Sequence, residues 1–176
     1  NDLILIRKIL HFFKMEDVEV VTRSDSPIGA GIAGSSALNV ALCASAARWQ
    51  GKTYSPEELL QIAMNLEAQA IKVPTGAQDY RPAYYGGVSA VEFDVAGVHR
   101  VALDLNLIEL ERRLILAYTG SSRQSAVNNW TVMKAHLDGD AKVFNHFEQI
   151  RDIALSMRQA LLSSNWTAVG QLITAE

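Results

Sequence analysis

The sequence has 176 residues, of which 49% are hydrophobic and 20% charged, with a formal net charge of −3 at pH 7. This is the composition of a globular protein, and no basic stripe of the kind that binds nucleic acid is present. The single cysteine, Cys43, cannot form an internal disulfide, and no Cys/His set has zinc-site spacing. No apolar run is long enough to cross a bilayer. We therefore predict a cytoplasmic protein without nucleic-acid or membrane partners.

The first part of the chain is predicted to form helices around one strand. Apolar spacing predicts a helix from Asp2 to about Phe13, and alternation over 17–23 predicts a strand. Residues 35–49, rich in alanine, predict a central helix that packs closely. The sequence Ser-Pro-Glu-Glu at 55–58 has the cap, the proline and the capping-box glutamate of another helix start.

The rest of the chain is predicted to be a loop, a hairpin, a strand and then only helices. In order, the patterns predict a loop at 73–82, a hairpin of 88–93 with 98–103, a strand at 113–118, and helices at 122–137, at 141–163 and from 165 onward. The first residue is Asn and the last lies in an unfinished helical pattern, so we expect both ends to be cut.

A glycine-rich loop joins the predicted strand to the central helix. Its residues are Pro27, Ile28, Gly29, Ala30, Gly31, Ile32, Ala33, Gly34, Ser35, Ser36 and Ala37. Glycines let backbone N–H groups approach a ligand, and the helix start adds partial positive charge, so this loop is typical of a phosphate site. The two serines offer hydroxyls for capping or for Mg²⁺.

Other readings of the loop remain open. Gly29, Gly31 and Gly34 fit the G-x-G-x-x-G spacing of dinucleotide-binding proteins. However, the segment Ser24-Asp25-Ser26-Pro27 lies between the predicted strand and the glycines, and no acidic residue is well placed for the ribose. A Walker loop is excluded because no Lys follows Gly34, and a plain strand–helix connection is a further alternative.

Two carboxylates follow the loop. Glu67 lies at the edge of the apolar face of its helix, where a half-buried carboxylate suits a metal ligand, although a solvated glutamate is the ordinary alternative. Asp79 lies in a polar loop, where an aspartate is usually part of a turn. A phosphoryl-transfer site needs a metal and a group that orients the acceptor hydroxyl, which are the two roles open to these residues.

In combination, these motifs resemble the GHMP kinases. The loop resembles the second signature of that family, with Ile32 and Ala33 as departures. The later segment also resembles it: Glu67, then Pro74, Gly76, Asp79, Tyr84, Tyr85, Gly86 and Gly87. Residues 78–79, 83–87 and 118–125 are most similar to the branch that phosphorylates heptose phosphates and fucose. Arg81-Pro82 stands where that family has small residues.

The resemblance implies a fold and a set of roles. The fold would be α+β, with an N-terminal lobe of sheet plus helices at 1–104 and the start of a largely helical second lobe at 105–176. The loop from Pro27 to Ser36 would bind ATP, and Ser36 with Glu67 would hold Mg²⁺. Asp79 would be the catalytic base or orienting group.

The resemblance also implies a substrate class. The acceptor would be a small molecule, a sugar or sugar phosphate, with Tyr84 and Arg123 as candidate contacts. Acceptors of the mevalonate or homoserine type, a nucleotide-dependent oxidoreductase and a non-catalytic binding protein of the same fold are the alternatives. The protein would be a monomer or homodimer. The family's earlier signature and its later glycine-rich signature are not found in this sequence.

Overall fold

The computed structural model describes residues 2–121 and 126–175. The elements in chain order are α1 (Asp2–Phe12), α2 (Gly34–Trp49), α3 (Pro56–Ile71), α4 (Tyr80–Tyr85), β1 (Ser89–Asp94), β2 (Gly97–Ala102), α5 (Leu107–Glu111), α6 (Ala126–Leu137), α7 (Ala141–Leu162) and α8 (Trp166–Ala175). This mixture of helices with a two-stranded sheet agrees with the predicted α+β class.

The chain divides into two compact units, residues 1–86 with 117–126, and residues 87–116 with 127–176. These units are defined by compactness alone. The predicted lobes at 1–104 and 105–176 therefore stay a prediction.

The first unit has a helical core built from α1, α2, α3 and α4. Its buried side chains are Leu5, Ile9, Phe13, Val40, Cys43, Ala46, Ala47, Leu59, Leu60, Ala63, Leu66 and Tyr80. Small side chains on α2 let its backbone approach α3 closely, so that one polar side chain can bridge them. Asn39 is fully buried, and its Nδ2 donates to the Ala63 carbonyl at 2.7 Å. This bond links the middle of α2 to the middle of α3.

The start of α3 is fixed by the predicted capping box. The Ser55 hydroxyl accepts from the Glu58 backbone N–H at 3.3 Å, and the Glu58 carboxylate accepts from the Ser55 N–H at 2.7 Å. The Ser55 hydroxyl also donates to the Glu58 carboxylate, and this bond together with the one from the Ser55 N–H holds the pKa of Glu58 below its usual value. Because the start is fixed, the helical period places Glu67 three turns later on the side that meets α2.

The second unit contains one hairpin and the remaining helices. In the hairpin, β1 and β2 pair antiparallel from Ser89 with Ala102 to Asp94 with Gly97, within one residue of the predicted ranges. Asp140 caps α7 by accepting from the N–H groups of Lys142 and Val143. The short helix α5 was not predicted.

Three local predictions are wrong. Residues 17–23 and 113–118 are not strands, and no strand in the described part of the chain pairs with either segment. Their apolar side chains are largely exposed, with Val21 at 84% and Ile115 at 95%. A strand is stabilised by a hydrogen-bonded neighbour, so alternation alone was not sufficient. The predicted loop at 73–82 is also too long, because α4 begins at Tyr80.

Within the described residues, no helix has the length and apolar character needed to span a membrane.

Candidate active site

The glycine-rich loop is defined by its backbone conformation. Gly29, Gly31 and Ala33 have φ angles of 71°, 77° and 59°, so every second residue of this stretch lies in the left-handed region. A Cβ added to Gly31 would meet no atom within 4 Å, so the glycine is needed for its conformation rather than for space. Ile28 and Ile32 are exposed, at 81% and 48%. Gly29 and Gly31, which consist of backbone alone, are exposed as well, so the loop presents backbone to the surface, as a phosphate-binding loop does.

The start of α2 lacks a side-chain cap. Its N-cap residue is Ala33, whose methyl group offers no hydrogen-bond acceptor. The first N–H groups of a helix have no partner within the helix, and the helix dipole favours an anion beside them. Among the described residues, no side chain caps this end. An anion bound there would be stabilised by both effects.

Glu67 contacts the start of α2. Its side chain is 7% exposed, so it is more buried than the half-buried position expected from its place on the helix. The Ser35 hydroxyl donates to its Oε1 at 3.0 Å, and the Tyr80 hydroxyl donates to its Oε2. The structure thus brings Glu67 to the loop through Ser35. Ser36 is also buried, with its hydroxyl close to that of Tyr80.

Asp79 lies beside this cluster at the start of α4. It occupies the N-cap position, yet its carboxylate accepts no capping hydrogen bond. Burial and the nearby negative charge of Glu67 raise the pKa of Asp79 above its usual value. A carboxylate that is repelled by a neighbour and not used for capping is available to a cation or to a substrate hydroxyl.

Tyr80 is a member of this site that the sequence analysis missed. Its side chain is 1% exposed. Burial and the Glu67 carboxylate raise the pKa of its phenol, while hydrogen bonds to Thr75 and Ser36 act in the opposite direction. In the sequence it resembles an ordinary core aromatic next to Asp79. Only its position opposite Glu67 distinguishes it.

Arg81 follows Tyr80 and is held by α3. Its guanidinium is buried, donates to the Ala77 carbonyl at 3.1 Å and forms an ion pair with Glu57 at 2.7 Å. The Tyr85 hydroxyl donates to the other oxygen of Glu57 at 3.3 Å. Glu57 therefore fixes both ends of α4, and the Arg81 that departs from the family pattern is an anchor for that helix.

The structure assigns no role to the two predicted substrate contacts, Tyr84 and Arg123. Tyr84 is 39% exposed and its ring packs edge-on against Tyr85, with the ring centroids 4.9 Å apart. Arg123 lies outside the described residues. In the described part of the chain, no group of three or more His, Cys, Asp and Glu gathers. A cation at Glu67 would therefore complete its coordination with hydroxyl, water or phosphate oxygens, as Mg²⁺ commonly does.

Comparison with known proteins gives the same family. Residues 4–87 match the family described as the GHMP kinases N terminal domain. A curated D-glycero-alpha-D-manno-heptose 7-phosphate kinase of Campylobacter jejuni is 28% identical over 158 residues, covering 86% of this chain and 45% of that protein. The chain thus spans less than half the length of that relative. The predicted resemblance is confirmed: residues 4–87, which contain the glycine-rich loop, Glu67 and Asp79, match the N-terminal domain of the GHMP kinases.

Proposed function

We propose that this chain contains the phosphate-binding and catalytic part of an ATP-dependent kinase that phosphorylates a hydroxyl of a sugar or sugar phosphate. The observation that carries the proposal is the contact of Glu67 with Ser35 at the uncapped start of α2, beside Asp79. This arrangement would bring an anion site, a cation ligand and a second carboxylate together. Phosphoryl transfer depends on these groups more than on covalent chemistry.

The loop would bind the phosphates of ATP. The N–H groups of the first turn of α2 have no side-chain cap, and the left-handed residues from Gly29 to Ala33 bring further backbone to the same surface. Such donors cost little reorganisation when the anion binds, because they are already fixed by the helix.

Glu67 would hold Mg²⁺ together with a serine hydroxyl. The carboxylate fits a cation because a divalent ion would offset both the burial of this charge and its repulsion with Asp79. When bound, Mg²⁺ would supply charge neutralisation for the transferred phosphoryl group. We assign Ser36 as the serine ligand from the family motif, with Ser35 as the alternative because its Oγ lies 3.0 Å from Glu67.

Asp79 would orient the acceptor hydroxyl and accept its proton. The raised pKa of this carboxyl makes it a better proton acceptor than an exposed aspartate, and it has no capping bond to break. Tyr84 is exposed close to Asp79 in sequence and would contact the acceptor, as would Arg123. The proposal of a sugar-phosphate acceptor rests on the Campylobacter jejuni relative's name.

The test is a coupled ADP-release screen of the full-length protein with ATP and Mg²⁺. The acceptors are sugars, sugar phosphates, mevalonate and homoserine, and NAD(P) binding is measured in parallel. We expect turnover with a sugar phosphate or sugar. Turnover with mevalonate or homoserine alone would show that the proposed acceptor class is wrong. Binding of NAD(P) instead of ATP would show that the protein is an oxidoreductase and not a kinase. A cytoplasmic location and a monomer or homodimer stay predictions.

A further inference from the structure

Tyr80 combines complete burial of its ring with a polar contact at the candidate site. The ring belongs to the core that α1, α2 and α3 form, and is 1% exposed. Its position is therefore fixed by packing on several sides, which leaves the hydroxyl little freedom to move. That hydroxyl donates to Oε2 of Glu67.

The two oxygens of Glu67 thus have different neighbours. Oε2 accepts from Tyr80 in the core, while Oε1 accepts from Ser35 in the first turn of α2. Carboxylates that bind Mg²⁺ commonly use one oxygen, and the other is oriented by a hydrogen bond from the protein. A donor on Oε2 fixes the plane of the carboxylate and leaves Oε1 facing the glycine-rich loop.

We propose that Tyr80 is a positioning residue for Glu67, which holds the carboxylate so that Oε1 is presented to the cation of bound Mg–ATP. This inference rests on the proposed function. A structural alternative exists, in which Glu67 serves only as the acceptor that a buried phenol requires. The two differ in what happens to metal binding when the hydroxyl alone is removed.

The test is Tyr80→Phe in the intact protein, which keeps the ring and removes only the donor. Tyr54→Phe is the matched control, since Tyr54 packs against Phe13 of the same core, with the ring centroids 6.3 Å apart. Binding of Mn²⁺ in the presence of a non-hydrolysable ATP analogue is followed by electron paramagnetic resonance. Analogue binding without metal and thermal unfolding are measured beside it.

We expect Tyr80→Phe to weaken Mn²⁺ binding by about 10-fold to 100-fold, the range for loss of a ligand-orienting hydrogen bond. Metal-free analogue binding should be unchanged, and Tyr54→Phe should bind Mn²⁺ like the parent. In a Glu67→Gln background, Tyr80→Phe should add little further loss, because Tyr80 acts through Glu67.

The results that would contradict this inference differ from the result that would contradict the proposed function. If the parent binds Mn²⁺ with the analogue and Tyr80→Phe binds it equally well, the positioning role is wrong and the kinase proposal stands. A Tyr80→Phe protein that does not fold, or that loses metal-free analogue binding to the same extent, assigns the hydroxyl a structural role and overturns the inference. If the parent itself binds neither the analogue nor Mn²⁺, the proposed function fails first.

Discussion

The glycine-rich loop and the Glu67 cluster are two halves of one candidate site, and they are built in opposite ways. The loop is exposed, uses backbone atoms and depends on the conformations of Gly29, Gly31 and Ala33. The cluster, formed by Ser35, Glu67 and Tyr80, uses side chains that α2, α3 and α4 bring together, and its Glu67 and Tyr80 are buried. The comparison teaches that the loop should tolerate changes of side chain but not of backbone conformation. The cluster should show the reverse behaviour.

The largest effect is expected at Asp79. Asp79→Asn keeps the size of the side chain but removes the charge, so turnover should fall by roughly two to four orders of magnitude, the usual contribution of a positioned base. We expect the smaller loss, because phosphoryl transfer depends mainly on positioning. Thermal stability should not decrease, because the change removes a charge whose burial and repulsion with Glu67 raise the pKa of Asp79.

Steady-state kinetics and thermal unfolding check this prediction, and Asp104→Asn is the control because Asp104 is exposed on the other unit. Full activity of Asp79→Asn would remove the aspartate from the chemistry. If excess Mg²⁺ instead restores the activity of Asp79→Asn, then Asp79 is a metal ligand, and Glu67 would be the group that orients the acceptor hydroxyl.

The next effect concerns the loop. Gly31→Val places a branched side chain at φ 77°, a conformation that costs an L-residue about 1–2 kcal/mol, so the loop should shift. We expect the Kd for ATP to rise about 10-fold, which corresponds to that strain. Gly51→Val is a matched control: Gly51 has φ 65° and open space for a Cβ, but it lies beyond the far end of α2.

Calorimetric titration with Mg–ATP separates the two glycines. Both variants should lose stability, and only Gly31→Val should lose affinity. Equal affinities for ATP in the two variants would mean that the loop does not bind the phosphates.

The same contrast explains what the sequence could predict. The loop, the capping box at Ser55 and the hairpin turn are local, and residue types alone identify them. The approach of Glu67 to Ser35 is not local, because it depends on how closely α2 packs on α3 through Asn39. Sequence reasoning reached Glu67 and Asp79 only through the family motif, and no motif pointed to Tyr80.

The failed strands have a related cause. Val18 and Val20 lie two residues apart, as on one face of a strand, and residues 114–116 are a continuous apolar run. Neither pattern states which backbone would pair with it, and a β-ladder requires that partner. The hairpin was predicted correctly because its partner strand follows immediately after a tight turn.

A smaller effect tests how strongly the Glu57–Arg81 ion pair anchors α4. Glu57→Gln weakens the charged partner of the buried Arg81 guanidinium, and hydrogen bonds to charged groups contribute about 1.5–3 kcal/mol. Because the Glu57 side chain is 52% exposed, we expect a loss near the lower end, about 1–2 kcal/mol, in the free energy of unfolding measured with urea.

Glu109→Gln is the control for this variant. Glu109 pairs with Arg113 four residues along the chain, and the Arg113 side chain is 46% exposed, so that pair should contribute less than about 0.5 kcal/mol. Equal losses in the two variants would show that the Glu57–Arg81 pair is no more important than a surface pair.

The smallest expected effect is a gain at Ala33, where the loop meets the helix. Ala33 has φ 59° at the N-cap of α2, a conformation that costs an L-residue about 1–2 kcal/mol. Ala33→Gly removes that strain but adds the entropy that glycine loses on folding, about 0.5–1 kcal/mol. We therefore expect the free energy of unfolding to rise by about 0.5–1 kcal/mol. Ser164→Gly, at φ 54° after α7, is the control with the same backbone change.

The two variants separate strain that is only structural from strain at the site. Both should unfold at higher urea concentration, because each removes a left-handed non-glycine residue. Only Ala33→Gly should also bind Mg–ATP differently, and we expect tighter binding, because a glycine at this position lets the first N–H groups of α2 adjust to the phosphates. An unchanged Kd for ATP in a stabilised Ala33→Gly protein would show that Ala33 is strained for reasons unrelated to the nucleotide. The functional part of the loop would then end at Gly31.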